Sequence, residues 1–337
     1  MPCNFCGSIN YSFVYTCLKD RNSIATENFN ILRCNNCRLC FLEPQPAISH
    51  IKKYYSKSYR NGQGDCFKET NKSRLALSIR RLKRIFILKI FIGTKVPGVK
   101  KSFILILLSR LLEFYSRIAD EVEENGLSIT PALNRGAKVL DIGFGGGLWM
   151  QIASDYGWKA TGVEIDAELV QSAKEAGYQA YLGDFLDINF GSSKFDFIRL
   201  NHVLEHLLNP KETLIKCKDL LSKDGYIYVR VPNFNSAAQI LMGENYYQLD
   251  IPKHLYFFDS CSIKNIVSDA GLTIECLHYI CNPVTWLNSF VKFDALNEIT
   301  HQIKKNKGAW HTTFRKIGIL LNNHALGDDL IVLLRKA

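Results

Sequence analysis

The sequence lacks several features that define other classes of protein. It has no internal repeat and no low-complexity tract, and it does not open with the basic and apolar regions of a secretory signal peptide. Cations such as Lys89 and Arg110 interrupt its apolar runs before they reach the roughly 20 residues that span a bilayer. We therefore expect a cytoplasmic protein whose thiols stay reduced.

The positive charge is confined to one segment. The formal net charge is +10, and residues 74–117 carry eleven Lys or Arg against one acid, Glu113, so the rest of the chain has 31 residues of each sign. Such a basic and apolar segment predicts either a helical pair that joins two domains or a peripheral contact with the anionic inner face of a membrane. Because the cations are confined to this one apolar segment, nucleic acid is not expected as a partner.

Three blocks follow one another along the 337 residues. Residues 1–60 carry cysteines and aromatic residues, residues 61–130 form a basic helical connector, and residues 131–337 form the largest block. In that block β-rich runs alternate with helical patterns, which is typical of a doubly wound, mostly parallel sheet. The runs are "AKVLDIG", "KATGVEI", "YQAYLGD", "FDFIRLN", "YIYVRVP", "TIECLHYI" and "DLIVLLRK". We predict an α/β fold with a seven-strand Rossmann-like sheet, a lid insertion at about 234–258 and another insertion at about 282–326.

Two details of the sheet follow from residues beside the predicted strands. Pro232 directly follows the fifth run and is expected to end that strand. Asp328 and Asp329 precede the last run, and we interpret them as turn residues, not as part of a magnesium site.

Two C-x2-C pairs near the start predict a metal site. The chain has eleven cysteines, and 27 residues separate the two pairs. The pairs are Cys3 with Cys6 and Cys34 with Cys37. They supply the four thiolates of a closed zinc site, which stabilises a fold and leaves no open position for catalysis. We predict a small zinc-ribbon-like module with structural zinc. Cys40 repeats the spacing and could compete as a ligand, although it lies in an apolar run.

The stretch "VLDIGFGGGLWM", residues 139–150, runs from a buried strand into a glycine-rich turn. A dinucleotide site would need the spacing G-x-G-x-x-G, and the acid at Asp141 would repel a pyrophosphate. Asp141 can instead accept a hydrogen bond from an ammonium group. Glu164 ends the second run, where it can bind a ribose diol, and Asp184 closes the third, where it can meet an adenine amine. These acids favour S-adenosylmethionine over a dinucleotide or an empty turn.

These motifs resemble, in order and spacing, the class I S-adenosylmethionine-dependent methyltransferases. "VLDIGFGGG", "GVEID", "GDFLD" and "FDFIRLNHVLEHLLNP" carry the resemblance, which covers residues 136–280, with "GDDLIVLLRK" as the last strand. It implies an enzyme whose cofactor contacts Asp141, Gly143, Gly145, Glu164, Ile165, Asp184, Phe185 and Asn201. It also implies that Asn201 and His202 lie beneath the sulfonium. For Ile165 and Phe185, ordinary core packing is an equal alternative.

The N-terminal block extends the resemblance to a subgroup associated with polysaccharide and O-antigen biosynthesis. "CNFCGS", "CNNCRLCFLEPQP" and "YYSKSYRNG" precede the methyltransferase motifs, and "QLDIPKHLYFF" follows them. The resemblance implies methylation of a sugar hydroxyl or carbon, on a nucleotide-activated sugar or on a lipid-linked or cell-surface glycan precursor. Cys40 departs from the subgroup's pattern, in which an aliphatic residue is usual.

Three histidines are candidates for the base that a hydroxyl acceptor requires. We interpret "NHVLEHL" as the start of a helix, so that His202 and His206 share a face and Glu205 can orient either ring. His206 is interpreted as a packing residue. His254 lies in the predicted lid between apolar flanks, where a base and a structural hydrogen bond are equal alternatives. The predicted catalytic residues are His254, His202 and Glu205.

Two other functions stay open. A ribosomal RNA methyltransferase would share the chemistry, a zinc module and a basic segment. A catalytically inactive binding protein would share the methyltransferase fold alone.

Overall fold

The structure is a computed structural model that describes residues 2–20, 27–46, 54, 67, 129–291 and 307–337. The predicted basic connector lies outside the described residues except for positions 67, 129 and 130, and residues 74–117 lie outside them entirely. The predicted boundaries at 60 and 130, and both roles considered for the connector, therefore stay predictions. No helix in the described ranges is long and apolar enough to cross a membrane.

The chain divides into two compact units. The first, here called the glycine-loop unit, contains Asn61–Arg199 and Leu220–Tyr228. The second, the cysteine unit, contains Met1–Arg60, Leu200–Asp219 and Val229–Ala337. The cysteine pairs thus share a unit with the predicted lid and with the last strand of the chain.

A four-stranded antiparallel sheet organises the N-terminal part of the cysteine unit. Its strands, in spatial order, are β1 (Tyr11–Leu18), β2 (Phe29–Cys34), β3 (Cys40–Glu43) and β9 (Tyr256–Phe257). In β3, Cys40 pairs with Phe257 and Phe41 with Tyr256. The predicted lid therefore supplies the edge strand of this sheet. Local sequence patterns do not predict such a long-range pairing.

The predicted seven-stranded sheet is confirmed. Its strands are β4 (Lys138–Ile142), β5 (Lys159–Glu164), β6 (Gln179–Leu182), β7 (Phe195–Asn201), β8 (Leu221–Pro232), β10 (Leu272–Ile280) and β11 (Asp329–Lys336). The spatial order is β10-β11-β8-β7-β4-β5-β6. Strands β4, β5 and β6 are parallel, whereas β10 and β11 are antiparallel. Side chains such as Leu140 and Phe197 are fully buried, because central strands of such a sheet are covered on both faces.

Helices alternate with these strands. They are α1 (Leu148–Asp155), α2 (Ala167–Glu175), α3 (Pro210–Leu220), α4 (Ala237–Met242), α5 (Ser260–Asp269), α6 (Pro283–Val291) and α7 (Lys307–Asn323). The side chain of Asp166 caps α2 by accepting from the backbone N–H of Glu168, and Asp259 forms a capping box with Ser262 at the start of α5. The predicted lid contains α4, and the predicted insertion contains α6 and α7, with residues 292–306 outside the described chain.

The helix predicted at "NHVLEHL" is wrong. His202 has a left-handed backbone with φ 53°, and only Leu204–His206 form a short 3-10 turn. The next helix, α3, begins at Pro210. A left-handed residue cannot begin an α-helix, so the side chains of His202 and His206 do not share a helical face.

Candidate functional site

The glycine-rich turn after β4 needs its glycines for backbone reasons. Gly143, Gly145 and Gly147 have φ values of 67°, 52° and 79°, in the left-handed region that other residues avoid. A Cβ atom on Gly147 would lie 2.0 Å from ring carbons of Phe67. The backbone N–H of Gly143 donates to the carbonyl of Val163, at 2.8 Å, so the turn is held against β5.

Glu164, at the end of β5, stabilises this turn by accepting hydrogen bonds from backbone N–H groups. Its Oε2 accepts from the backbone N–H of Gly145 at 3.0 Å, and its Oε1 accepts from Ile165 at 2.7 Å and from Asp166 at 3.3 Å. Burial raises the pKa of Glu164, and these N–H donors oppose that shift. A carboxylate has about four lone-pair sites, so at least one remains for a further donor.

Asp141, on β4, is fully buried and its observed partner is a guanidinium. Its Oδ1 lies 3.1 Å from Nη1 of Arg199, while its Oδ2 has no hydrogen-bond partner among the described residues. Burial raises the pKa of Asp141, and the Arg199 charge opposes the shift. The Arg199 guanidinium also lies over the rings of Trp149 and Tyr228, at 5.3 and 5.8 Å from their centroids. Sequence reasoning missed Arg199, although one cation in an apolar strand signals a buried carboxylate.

The residues predicted for adenine differ in exposure. Ile165 is 52% exposed, whereas Phe185 is 4% exposed and packs against Phe190 at a centroid distance of 5.9 Å. Asp184 is exposed, and its Oδ1 accepts from the backbone N–H of Leu186 at 2.8 Å. Of the two alternatives considered, Phe185 shows the core packing and Ile165 leaves its side chain open to a ligand.

His202 carries an imidazole held by a carboxylate. Its Nδ1 lies 3.2 Å from Oε1 of Glu205, and its Nε2 lies 3.7 Å from Oδ2 of Asp329. The backbone N–H of His202 donates to the carbonyl of Arg230, which fixes the left-handed turn after β7. The His202 side chain is 32% exposed, so the ring remains accessible. Asn201, the last residue of β7, has a buried Oδ1 without a hydrogen-bond partner in the described chain.

Glu205 is 1% exposed, yet it is ionised at neutral pH. Burial raises its pKa, but the hydrogen bond with His202 and the neighbouring imidazoles outweigh burial and lower the pKa to about 2. An ionised carboxylate accepts only, so Nδ1 of His202 is the donor in this pair, and a neutral ring in that tautomer would carry its lone pair on Nε2. This arrangement can take a proton from a ligand.

His254 is buried at 7% exposure and lies against His206, with ring centroids 4.6 Å apart. Burial lowers the pKa of His254 to about 4, and the nearby His206 adds to the shift. Nδ1 of His206 lies 3.0 Å from the carbonyl oxygen of Lys253. The base role predicted for His254 is untested, but the structure gives this ring far less exposure than His202.

Asp328 lies in a bend before β11, as expected of a turn residue, whereas the interpretation of Asp329 as a turn residue is wrong. Both are fully buried, and Asp329 begins β11, where its Oδ2 forms a very short ion pair with Nη2 of Arg230. Its Oδ1 accepts from Nε2 of Gln248, and Oδ2 of Asp328 accepts from the backbone N–H of Asn282. Burial, then the charge of Asp329, raises the pKa of Asp328 to about 8.

This raised pKa predicts a pH-dependent stability. Asp328 binds its proton more tightly in the folded chain, so its contribution is complete below about pH 4 and is lost as the pH rises through about 8. Asp328→Asn, which stays neutral, should remove that loss. Urea unfolding across this range should show a wild-type free energy that falls relative to the variant's as pH rises. Parallel curves would contradict the prediction, and Asp184→Asn, at an exposed acid, is the control.

The four predicted cysteine ligands are brought together in the cysteine unit. The Sγ atoms of Cys3 and Cys37 lie 3.6 Å apart, those of Cys6 and Cys34 lie 3.5 Å apart, and all four lie within 4.8 Å of one another. Tetrahedral zinc with bonds of 2.3 Å would separate sulfurs by about 3.8 Å, so the donor set fits a metal ion.

Turn geometry explains how the two cysteine pairs form. Gly7, with φ 72°, donates its N–H to the carbonyl of Cys3 and closes the first turn. Cys34 ends β2, and Cys37 lies in the turn before β3. Cys40 is outside the cluster: its Sγ accepts from Nε of Arg33 at 3.3 Å.

The chain is similar in sequence to known methyltransferases. A family profile described as "Methyltransferase domain" matches residues 111–277. The ubiquinone biosynthesis O-methyltransferase of Glaesserella parasuis is 31% identical over 179 residues, which are 45% of this chain and 74% of that protein. The protein of that name from Haemophilus ducreyi is 29% identical over 177 residues, 46% of this chain and 75% of the relative. The solved structure of the CcbJ methyltransferase from Streptomyces caelestis aligns with a TM-score of 0.44 and 13% identity, covering 64% of this chain and 90% of that one.

Proposed function

The chain belongs to the S-adenosylmethionine-dependent methyltransferases, and from that premise we propose that it methylates a hydroxyl oxygen of a small-molecule acceptor. The observation that carries this proposal is the accessible imidazole of His202, held by the buried and ionised Glu205. A hydroxyl must lose a proton as its oxygen is methylated, and a positioned imidazole supports that loss. The sulfonium of S-adenosylmethionine, when bound, would supply the methyl group.

The roles of the surrounding residues follow from their contacts. His202 would take the acceptor proton on Nε2, and bound S-adenosylmethionine would supply the methyl group. Glu205 holds the ring through Nδ1, and Asp329, at 3.7 Å from Nε2, stabilises the imidazolium that results. His254 is proposed as a neutral, structural member of the same cluster, because it is buried.

The cofactor would be held by the residues that the motifs single out. Glu164 keeps a lone pair for the ribose diol, and one oxygen of Asp141 remains for the amino-acid part of the cofactor. The glycine-loop residues proposed as cofactor contacts are Asp141, Gly143, Gly145, Glu164, Ile165, Asp184 and Phe185. Asn201, whose buried Oδ1 has no hydrogen-bond partner in the described chain, is proposed as a further contact.

Two acceptor classes are consistent with oxygen methylation. The motif order of the N-terminal block supports a sugar hydroxyl, on a nucleotide-activated sugar or a glycan precursor. The relatives' name, ubiquinone biosynthesis O-methyltransferase, supports a phenolic hydroxyl of a ring precursor. A phenol with a pKa near 10 loses its proton to imidazole more readily than an alcohol does, so the base favours a phenolic acceptor.

A separate proposal concerns the four thiolates. We propose that Cys3, Cys6, Cys34 and Cys37 bind one structural zinc ion, because their sulfurs already have nearly tetrahedral spacing. The site is closed by four protein ligands, so this zinc would stabilise the four-stranded sheet and take no part in methyl transfer.

Methyl transfer from labelled S-adenosylmethionine tests the functional proposal. Full-length protein would be assayed against catechol-type phenols, nucleotide sugars and ribosomal RNA, with product identified by mass spectrometry. A methyl ether on a phenol or sugar supports the proposal, and methyl–carbon, methyl–nitrogen or RNA product contradicts it. Cofactor binding without turnover on any acceptor would favour the inactive binding protein.

A first prediction concerns the cofactor. Glu164→Ala should weaken S-adenosylhomocysteine binding by about 2–3 kcal/mol, the range for charge-assisted hydrogen bonds, because both the ribose acceptor and the Gly145 contact are lost. Calorimetric titration measures this change. Glu168→Ala, at an exposed acid of α2, is the matched control and should bind normally. An unchanged dissociation constant in Glu164→Ala would move the ribose contact to another residue.

A further inference from the structure

A second group of potential ligands lies in the cysteine unit, apart from the four thiolates. Glu205, His206 and His254 each offer one donor atom, and these atoms lie within 4.8 Å of one another. Glu205 is 1% exposed and His254 is 7% exposed, whereas His206 is partly exposed. The group therefore has two buried members and one that provides access.

Each of the two buried side chains has one polar atom without a hydrogen-bond partner among the described residues. In the described residues, Oε2 of Glu205 and Nδ1 of His254 have no hydrogen-bond partner. A buried polar atom without a hydrogen-bond partner destabilises the fold, so these two atoms indicate a ligand that would bind them. The other oxygen of Glu205 is already in contact with His202, so the unpaired one is left for a different partner.

His206 is oriented as a metal-bound histidine would be. Its Nδ1 lies 3.0 Å from the carbonyl oxygen of Lys253, which can only accept, so the ring proton belongs on Nδ1 and the lone pair on Nε2. Metal-binding imidazoles commonly donate their second N–H to a backbone carbonyl in this way. A backbone hydrogen bond joins the two segments that carry the ligands, since the N–H of Leu255 donates to the carbonyl of Glu205 at 2.8 Å.

We propose that Glu205, His206 and His254 bind one divalent transition-metal ion through two imidazole nitrogens and one carboxylate oxygen. This donor set suits zinc, whose bonds to nitrogen and carboxylate oxygen are about 2.0–2.2 Å. Three such ligands lie about 3.4 Å apart around a tetrahedral ion, so the donor atoms, now within 4.8 Å of one another, would approach by up to about 1.4 Å on binding. The three ligands leave one position open for water or for an oxygen of a ligand.

Metal stoichiometry tests this site separately from the thiolates. Wild-type protein, stripped with a chelator and titrated with Zn²⁺, should bind two ions, and with Co²⁺ the second ion should lack thiolate charge-transfer absorption. His254→Ala should bind one ion fewer and keep the thiolate spectrum of the first. His278→Ala, at an exposed histidine of β10, is the matched control and should bind both ions.

The outcomes decide the proposal in either direction. A wild-type protein that binds only the thiolate ion overturns it, as does a folded His254→Ala that keeps both ions. If His254→Ala does not fold, His206→Ala takes its place and should likewise bind one ion fewer. A second wild-type ion that shows thiolate absorption would also overturn the proposal. The test is independent of methyl transfer, because both readouts concern metal binding.

Discussion

His202→Ala is expected to lower turnover by about 10²–10⁴-fold, the usual contribution of a positioned general base. The reason is specific to this ring: its Nδ1 is held 3.2 Å from Glu205, which leaves Nε2 to take the proton of an acceptor hydroxyl, and the side chain is 32% exposed. The affinity for S-adenosylhomocysteine should change little, because no cofactor contact is proposed for this side chain. Steady-state kinetics with the identified acceptor and calorimetric titration measure the two effects.

Matched variants separate a base from a structural residue. Glu205→Gln keeps a hydrogen-bond acceptor for His202 but removes the negative charge, so it should lower turnover less than His202→Ala. His278→Ala, at an exposed histidine, should leave turnover unchanged. Turnover that survives His202→Ala but collapses in His254→Ala would return the base to His254, the sequence-based prediction.

The double substitution Cys3→Ser/Cys34→Ser is expected to abolish zinc at the four-thiolate site and to unfold the sheet of β1, β2, β3 and β9. Each cysteine belongs to a different C-x2-C pair, so both turns lose a ligand. The apparent binding free energy of a structural zinc is about 10–16 kcal/mol, and most of it is folding free energy when no site exists in the unfolded chain. Elemental analysis and thermal unfolding, each with and without chelator, measure the loss.

A single thiol elsewhere provides the control for the cysteine experiment. Cys261→Ser changes an exposed thiol at the start of α5 and should keep both the metal and the unfolding temperature. Unchanged zinc content in Cys3→Ser/Cys34→Ser would exclude the four-thiolate assignment. A loss of zinc without any change in unfolding would show that the ion is bound but does not stabilise the sheet.

The local sequence pattern was sufficient to predict most strands of the seven-stranded sheet. The run "DLIVLLRK" is strand β11, with Asp329 as its first residue, and Pro232 is the last residue of β8. Such strands are short apolar runs bounded by turn residues, so a short window of sequence is enough to predict them. The glycine turn and the acid Glu164 were likewise predictable, because left-handed turns and strand ends restrict residue type locally.

The sequence alone determined the family, the order of strands and helices in the methyltransferase block and the two C-x2-C pairs, all of which depend on neighbouring residues. Tertiary structure decided which histidine is exposed, because the left-handed backbone of His202 is set by a hydrogen bond to Arg230 on another strand. It also decided that Asp329 is a buried partner of Arg230, 99 positions away, and that β9 completes the N-terminal sheet. Contacts over such separations are selected by packing of the whole chain, and no window of sequence contains both partners.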